Sequence, residues 1–245
     1  MTHPLAPLLE LADVAEALEG ARDAVGKTLW NRRLRRHGAK AAAEVSLRCA
    51  ASSAALEGTE RSVEEIRSGT VVDPNVQGAL RVGAELPALI DVWPKAPRQA
   101  LARLHLAAAR GLADEESLGR PRLAAAASAR LEALCDLAAG DAAGVPATLT
   151  AAVVHGELLA LRAFPTANGL VARAAARLEL ASRGLDPSLL IAVDVGHARR
   201  APEYVGAAGA FATGTVDGLR SWLKHCAQAL AEGAAVTDEL VDDLT

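Results

Sequence analysis

Alanine is the residue that most narrows what this chain can fold into. It supplies 57 of the 245 residues, whereas Phe, Trp and Tyr together make only 2%. Alanine loses no side-chain entropy in a helix and lets helix axes approach closely, while strands draw on β-branched and aromatic residues. With 51% hydrophobic residues, the expected fold is an all-α bundle with a core of its own, not a disordered segment. The balance of 26 basic to 30 acidic residues argues against the broadly basic surface that holds nucleic acid through phosphate contacts. Cys49, Cys135 and Cys226 lie far apart with no Cys-x-x-Cys pairing. They suggest small buried hydrophobes, with neither a disulfide framework nor a metal site. Glu10, Asp13, Glu16 and Glu19 interrupt any leader-like apolar run. No uncharged apolar stretch reaches the length of about 18 residues that a membrane span needs. A soluble, cytoplasmic protein is expected.

Apolar residues at helical spacing (Leu8, Leu9, Ala12, Val14, Leu18, Ala21, Val25) predict a first helix over residues 8–29. Residues 31–37, Asn-Arg-Arg-Leu-Arg-Arg-His, are expected as a solvated connector closed by Gly38. Further helices are expected over residues 39–55, from Thr59, over 74–89 behind an Asp73 cap, over 97–110, and over 122–139. Then come 146–161, 171–183 with Gly184 as its stop, and two final helices, the last near 219–230. No period and no linker appears. Residues 1–44 are expected as a helical extension and 45–245 as the main body, together one compact unit. Trp30, Trp93 and Trp222 are expected as core anchors, His105 as a packed or capping residue, and His197 and His225 as surface or core polar groups.

The break between the two central helices carries the most chemistry. It contains Arg162, Phe164, Thr166, Asn168 and Gly169, and Arg173 follows in the next helix. A short loop leading into a helix presents free backbone N–H groups and the positive end of the helix dipole, and an arginine beside them completes a cradle for an anion.

This stretch resembles the motif of Fic/Doc (Fido) proteins, His-Pro-Phe-x-Asp/Glu-Gly-Asn-Gly-Arg-x-x-Arg, which lies between two helices. Phe164, Asn168, Gly169 and Arg173 match it without gaps, and Ala167 is the small residue also used by Doc proteins. Farther upstream, Ser53-Ala-Ala-Leu-Glu57-Gly58 resembles the family's inhibitory-helix motif, Ser/Thr-x-x-x-Glu-Gly/Asn. The resemblance runs over residues 45–235. It implies a Fic-fold bundle carrying additional N-terminal helices, with Ser53, Glu57 and Gly58 as the inhibitory segment and Glu57 reaching Arg173.

The departures are as informative. The resemblance implies a motif histidine that takes a proton from the target hydroxyl and an acid that holds magnesium. Here Arg162 replaces the histidine, and an arginine keeps its proton in a protein. Thr166 replaces the acid, and a neutral hydroxyl is a poor sole anchor for Mg²⁺. Leu170 replaces the first motif arginine, and His155 lies about 10 Å up the helix from position 162. The family's hairpin flap is expected to be reduced or absent, because Arg122 leads straight into a helical pattern. The expected function is therefore that of a catalytically degenerate Fic-fold protein, regulatory or binding in role and without AMPylation activity. Its anion or nucleotide site would use Arg162, Phe164, Thr166, Asn168, Gly169 and Arg173, with no catalytic residue and no metal ligand. ATP or another nucleotide without magnesium is the candidate ligand, and a protein partner or second copy the candidate reader. The alternative is an enzyme of altered chemistry, a nucleotidyl- or phosphotransferase using the retained cradle.

Overall fold

Helices account for all the regular structure of the residues that the structure, a computed structural model, describes: 3–141 and 143–243. In chain order these are α1 (Val14–Leu29), α2 (Arg32–Leu56), α3 (Val63–Arg67), α4 (Pro74–Leu89), α5 (Pro97–Ala109) and α6 (Ala125–Ala139). They are followed by α7 (Ala147–Leu161), α8 (Asn168–Ser182), α9 (Val193–Arg199), α10 (Ala201–Ala212) and α11 (Val216–Asp243). The best-marked start is that of α4, where the Asp73 side chain accepts from the N–H groups of Asn75 and Val76 and Pro74 takes the first turn. Among the described residues no helix is long and apolar enough to cross a membrane.

The sequence reading needs correction at several ends. Residues 6–10 form a short 3₁₀ turn, so α1 starts at Val14 instead of residue 8. The arginine-rich stretch at 31–37 is no connector. The Asn31 side chain caps the Arg33 N–H, Leu34 is buried, and the helix runs on through a kink at His37. A boundary at residue 44 falls inside α2. The short α3 opens at Ser62, not Thr59, with a reciprocal capping box to Glu65. Helix α6 starts at Ala125, α8 starts at Asn168, and three helices follow α8, the last reaching Asp243. Trp30 ends α1 at the surface, 75% exposed, with the Arg35 guanidinium over its ring.

The antiparallel pair α7 and α8 forms the centre. Every residue of α8 from Leu170 to Ala181 is buried, which its alanines permit because they let neighbouring backbones come close on all sides. One core cluster joins this pair to α2, α4 and α5, and a second joins it to α1, α10 and α11. Two large side chains fill what alanine cannot. Trp93 and Trp222 are fully buried, and their indole N–H groups donate to Glu179 Oε2 at 2.6 Å and to the Ala152 carbonyl at 2.7 Å.

Helices α9 and α11 come close at Gly196, where a Cβ would overlap the Ala229 carbonyl of α11. Backbone cannot swing aside as a flexible side chain can. Gly196→Ala is therefore expected to destabilise the protein by about 1–3 kcal/mol, readable in urea unfolding. An unchanged midpoint would show that α9 and α11 can separate at no cost.

Between α5 and α6 the chain makes an isolated bridge between Arg110 and Ala113 and a 3₁₀ turn at Glu115–Ser117. It then runs on without regular structure, and the Arg122 N–H donates to the Ala163 carbonyl at 2.9 Å. This segment holds no hairpin flap.

Candidate functional site

The α7–α8 loop is held by its own residues. Arg162 and Ala167 both adopt left-handed backbone, with φ of 46° and 55°, a conformation costly for residues with a Cβ and kept only where the surroundings impose it. Asn168 imposes much of it. Its Oδ1 accepts from the Phe164 N–H at 3.0 Å and its Nδ2 donates to the Phe164 carbonyl at 2.7 Å. The side chain of Asn168 thus braces the loop, and the residue also lines the cleft above it. Phe164 is likewise buried and stacked on His105 at 4.1 Å, so it anchors the loop in the core and does not line the cleft. His105 accepts from the Gly119 N–H at 2.9 Å, and burial lowers its pKa to about 4.

Above the loop lies an open cleft of about 490 Å³, lined among others by Glu57, Arg162, Thr166, Gly169, Arg173 and Tyr204. Arg162 is exposed at its rim, and Thr166 Oγ1 has no hydrogen-bond partner. Arg173 sits in the second turn of α8, not the first, and its side chain is 1% exposed. Its Nε donates to Ser53 Oγ at 2.7 Å, Nη2 to the Ser53 carbonyl at 3.0 Å, and Nη1 to Tyr204 Oη at 3.2 Å. The remaining partner is Glu57, whose Oε1 lies 2.7 Å from Nη2.

Glu57 occupies more than an ion pair. It ends α2, followed by Gly58 in left-handed backbone (φ 89°), and its carboxylate lies so close over Gly169 that a Cβ there would overlap it. A negative group therefore already sits at the positive end of α8, where the helix dipole and free N–H groups favour one. It closes the cradle as a bound anion would.

Behind Arg173 runs a buried polar cluster. His155 Nε2 is 3.0 Å from Tyr204 Oη, His197 Nδ1 is 3.0 Å from His225 Nε2, and His225 Nδ1 is 3.1 Å from Glu203. Burial pushes His155 and His197 well below the ordinary imidazole range, and lowers His225 against the pull of Glu203. Burial also raises Tyr204 to about 12, with Arg173 opposing it. Tyr204 is therefore a neutral hydroxyl at the inner end of the cleft, and none of the three histidines lines the cleft. Glu157 pairs with Arg130 at 2.6 Å.

Sequence reasoning missed two features of this cleft. Tyr204, at the inner end of the cleft, is the first. Val205, Ala208, Gly209 and Ala212 of α10 form one apolar wall, and their helical spacing was the available signal.

No family model and no curated protein matches the sequence, but solved structures match its fold. A Fic family protein from Desulfovibrio desulfuricans G20 superposes with a TM-score of 0.67 at 18% identity, covering 100% of this chain and 77% of that one. Residues 134–508 of Fic-1 from C. elegans give a TM-score of 0.73 at 18% identity, covering 98% and 76%. A Glu-to-Gly variant of the same fragment gives 0.69 at 16% identity, again covering 98% and 76%. Likeness at this identity speaks for the fold alone, and on that ground the chain has the Fic fold.

Proposed function

We propose that this protein is a catalytically degenerate member of the Fic fold whose cleft binds an anion, a phosphate or nucleotide, in a regulatory or binding role. The observation that carries the reading is the Glu57 carboxylate lying over Gly169 and against Arg173. The site is thus built for negative charge and is filled by a side chain. Displacing Glu57 would expose to a ligand the N-terminus of α8, the inner guanidinium of Arg173 and the rim guanidinium of Arg162.

The same geometry argues against adenylyl transfer. At the position where the resemblance implies a general base stands Arg162, which does not give up its proton. Magnesium fits poorly: among the described residues lining the cleft the one carboxylate is Glu57, already paired with Arg173, and Thr166 offers a neutral hydroxyl. Incubation with labelled ATP and Mg²⁺ is expected to leave the protein and added cell lysate without covalent label, both for the wild type and for Glu57→Ala. Labelling that Arg173→Met abolishes would sink the proposal, and metal-dependent turnover of a nucleotide would favour an enzyme of altered chemistry. Soluble protein at a cytoplasmic address is part of the same reading, tested by fractionation of the source cells.

A further inference from the structure

The cleft has two unlike ends. The start of α8, Arg162, Thr166 and Arg173 make the polar one. The other is made by α10, where Val205, Ala208, Gly209 and Ala212 follow the i, i+3, i+4, i+7 spacing of a single helix face and line the cleft. The face that α10 turns inward carries Tyr204, Ala207 and Phe211, so this apolar face is a second one. Here Val205 is 67% exposed, and Gly209 and Ala212 are exposed beside it. Leu56 and Leu159 also line the cleft, and both are only partly buried.

The chemistry of this wall discriminates between ligand classes. None of its side chains can donate or accept a hydrogen bond, and none carries an aromatic ring. The one ring lining the cleft, Tyr204, is itself buried and has its hydroxyl engaged by Arg173 and His155. A nucleobase presents several donors and acceptors and gains most by stacking on a ring. Against this wall its polar edges would find no side-chain partner. Hydrocarbon needs none, and gains by removing exposed apolar surface from water.

Building on the anion reading, we propose that the preferred ligand is an amphiphilic phosphate. Its head takes the place of the Glu57 carboxylate at the start of α8, and its hydrocarbon tail lies along the Val205–Ala212 face of α10. The polar end supplies charge complementarity for the head, and the exposed α10 stripe is the surface the tail covers.

Calorimetric titration of Glu57→Ala with inorganic phosphate, then with ethyl, butyl and hexyl phosphate, and with AMP, tests this. These short esters stay monomeric in water. Affinity is expected to climb about two- to fourfold for each methylene that the α10 face covers, and AMP is expected to bind no more tightly than butyl phosphate. Val205→Asn, at an exposed position that folding does not need, should flatten the climb. If phosphate binds but chain length changes nothing, or if AMP binds more tightly than every alkyl ester, the amphiphile assignment is overturned while the anion site stands. If neither phosphate nor any ester binds, the anion reading fails and this inference falls with it.

Discussion

Glu57→Ala is expected to melt well below the wild type and to bind phosphate more tightly. Arg173 is the more deeply buried partner, with 1% of its side chain exposed against 23% for Glu57. Removing the carboxylate therefore strands a charge in the core while the rest of its shell, Ser53 and Tyr204, stays in place. Breaking a buried pair in this way costs roughly 3–5 kcal/mol, and the three surviving hydrogen bonds argue for the low end. For a chain of this size about 3 kcal/mol corresponds to a fall of roughly 6–12 °C in melting temperature. The same change empties the positive end of α8, so phosphate should recover much of the loss by binding the native state only. In the wild type, where ligand and Glu57 compete, millimolar phosphate should raise the melting temperature much less. A variant that melts like the wild type would show that the pair contributes nothing to the fold. A variant that melts low and ignores phosphate would leave the pair structural and remove the case for an anion site.

How far such a site can be read from sequence depends on which group does the signalling. Helix α4 was legible at its start, because Asp73 and Pro74 act locally and write their role into adjacent residues. The meeting of Glu57 with Arg173 was legible only through the resemblance, since 116 residues separate the two and no local rule links them. Asn168 was read as a ligand, yet its side chain closes the loop on Phe164. An asparagine offers the same donor and acceptor to a phosphate or to a backbone, so the sequence does not say which one it meets. The arginines at 31–37 looked like a solvated connector by charge alone, but the burial of a single leucine, Leu34, between them was enough to make a helical turn. Alanine-rich segments blur ends most of all. With helix propensity high throughout, termination falls to tertiary contacts, and so α11 continues to Asp243, well past the last residue that the periodicity suggested.

Acid is expected to unfold this protein early, because its buried histidines are held neutral. His105 is lowered to about 4 by burial, and His155 and His197 are lowered well below the ordinary value by the same cause. In the unfolded chain each would take a proton near pH 6.5. The folded state does not, so the stability these three contribute is complete above pH 6.5 and is lost as the pH falls below it. Each lost proton-binding step is worth about 1.4 kcal/mol per pH unit. Between pH 7.5 and 5.5 the three together should remove about 4 kcal/mol, a large part of the roughly 5–15 kcal/mol that holds a domain together. Buried Asp186 and Asp194 act in the opposite direction. Burial raises their pKa in the folded state against the pull of the Ile191 and Leu190 amides on Asp186 and of Arg177 and Arg173 on Asp194. Protonating them in the native state offsets part of the loss, chiefly toward the carboxylate range. Melting curves from pH 7.5 to 5.5 should therefore fall by about 10 °C. His155→Gln is expected to be less stable at pH 7.5, where the hydrogen bond to Tyr204 is altered, but to show a shallower slope with pH because one titrating group is gone. A wild-type curve flat over this range, or a His155→Gln slope equal to the wild type's, would mean that these imidazoles take protons in the folded state as readily as in the unfolded chain.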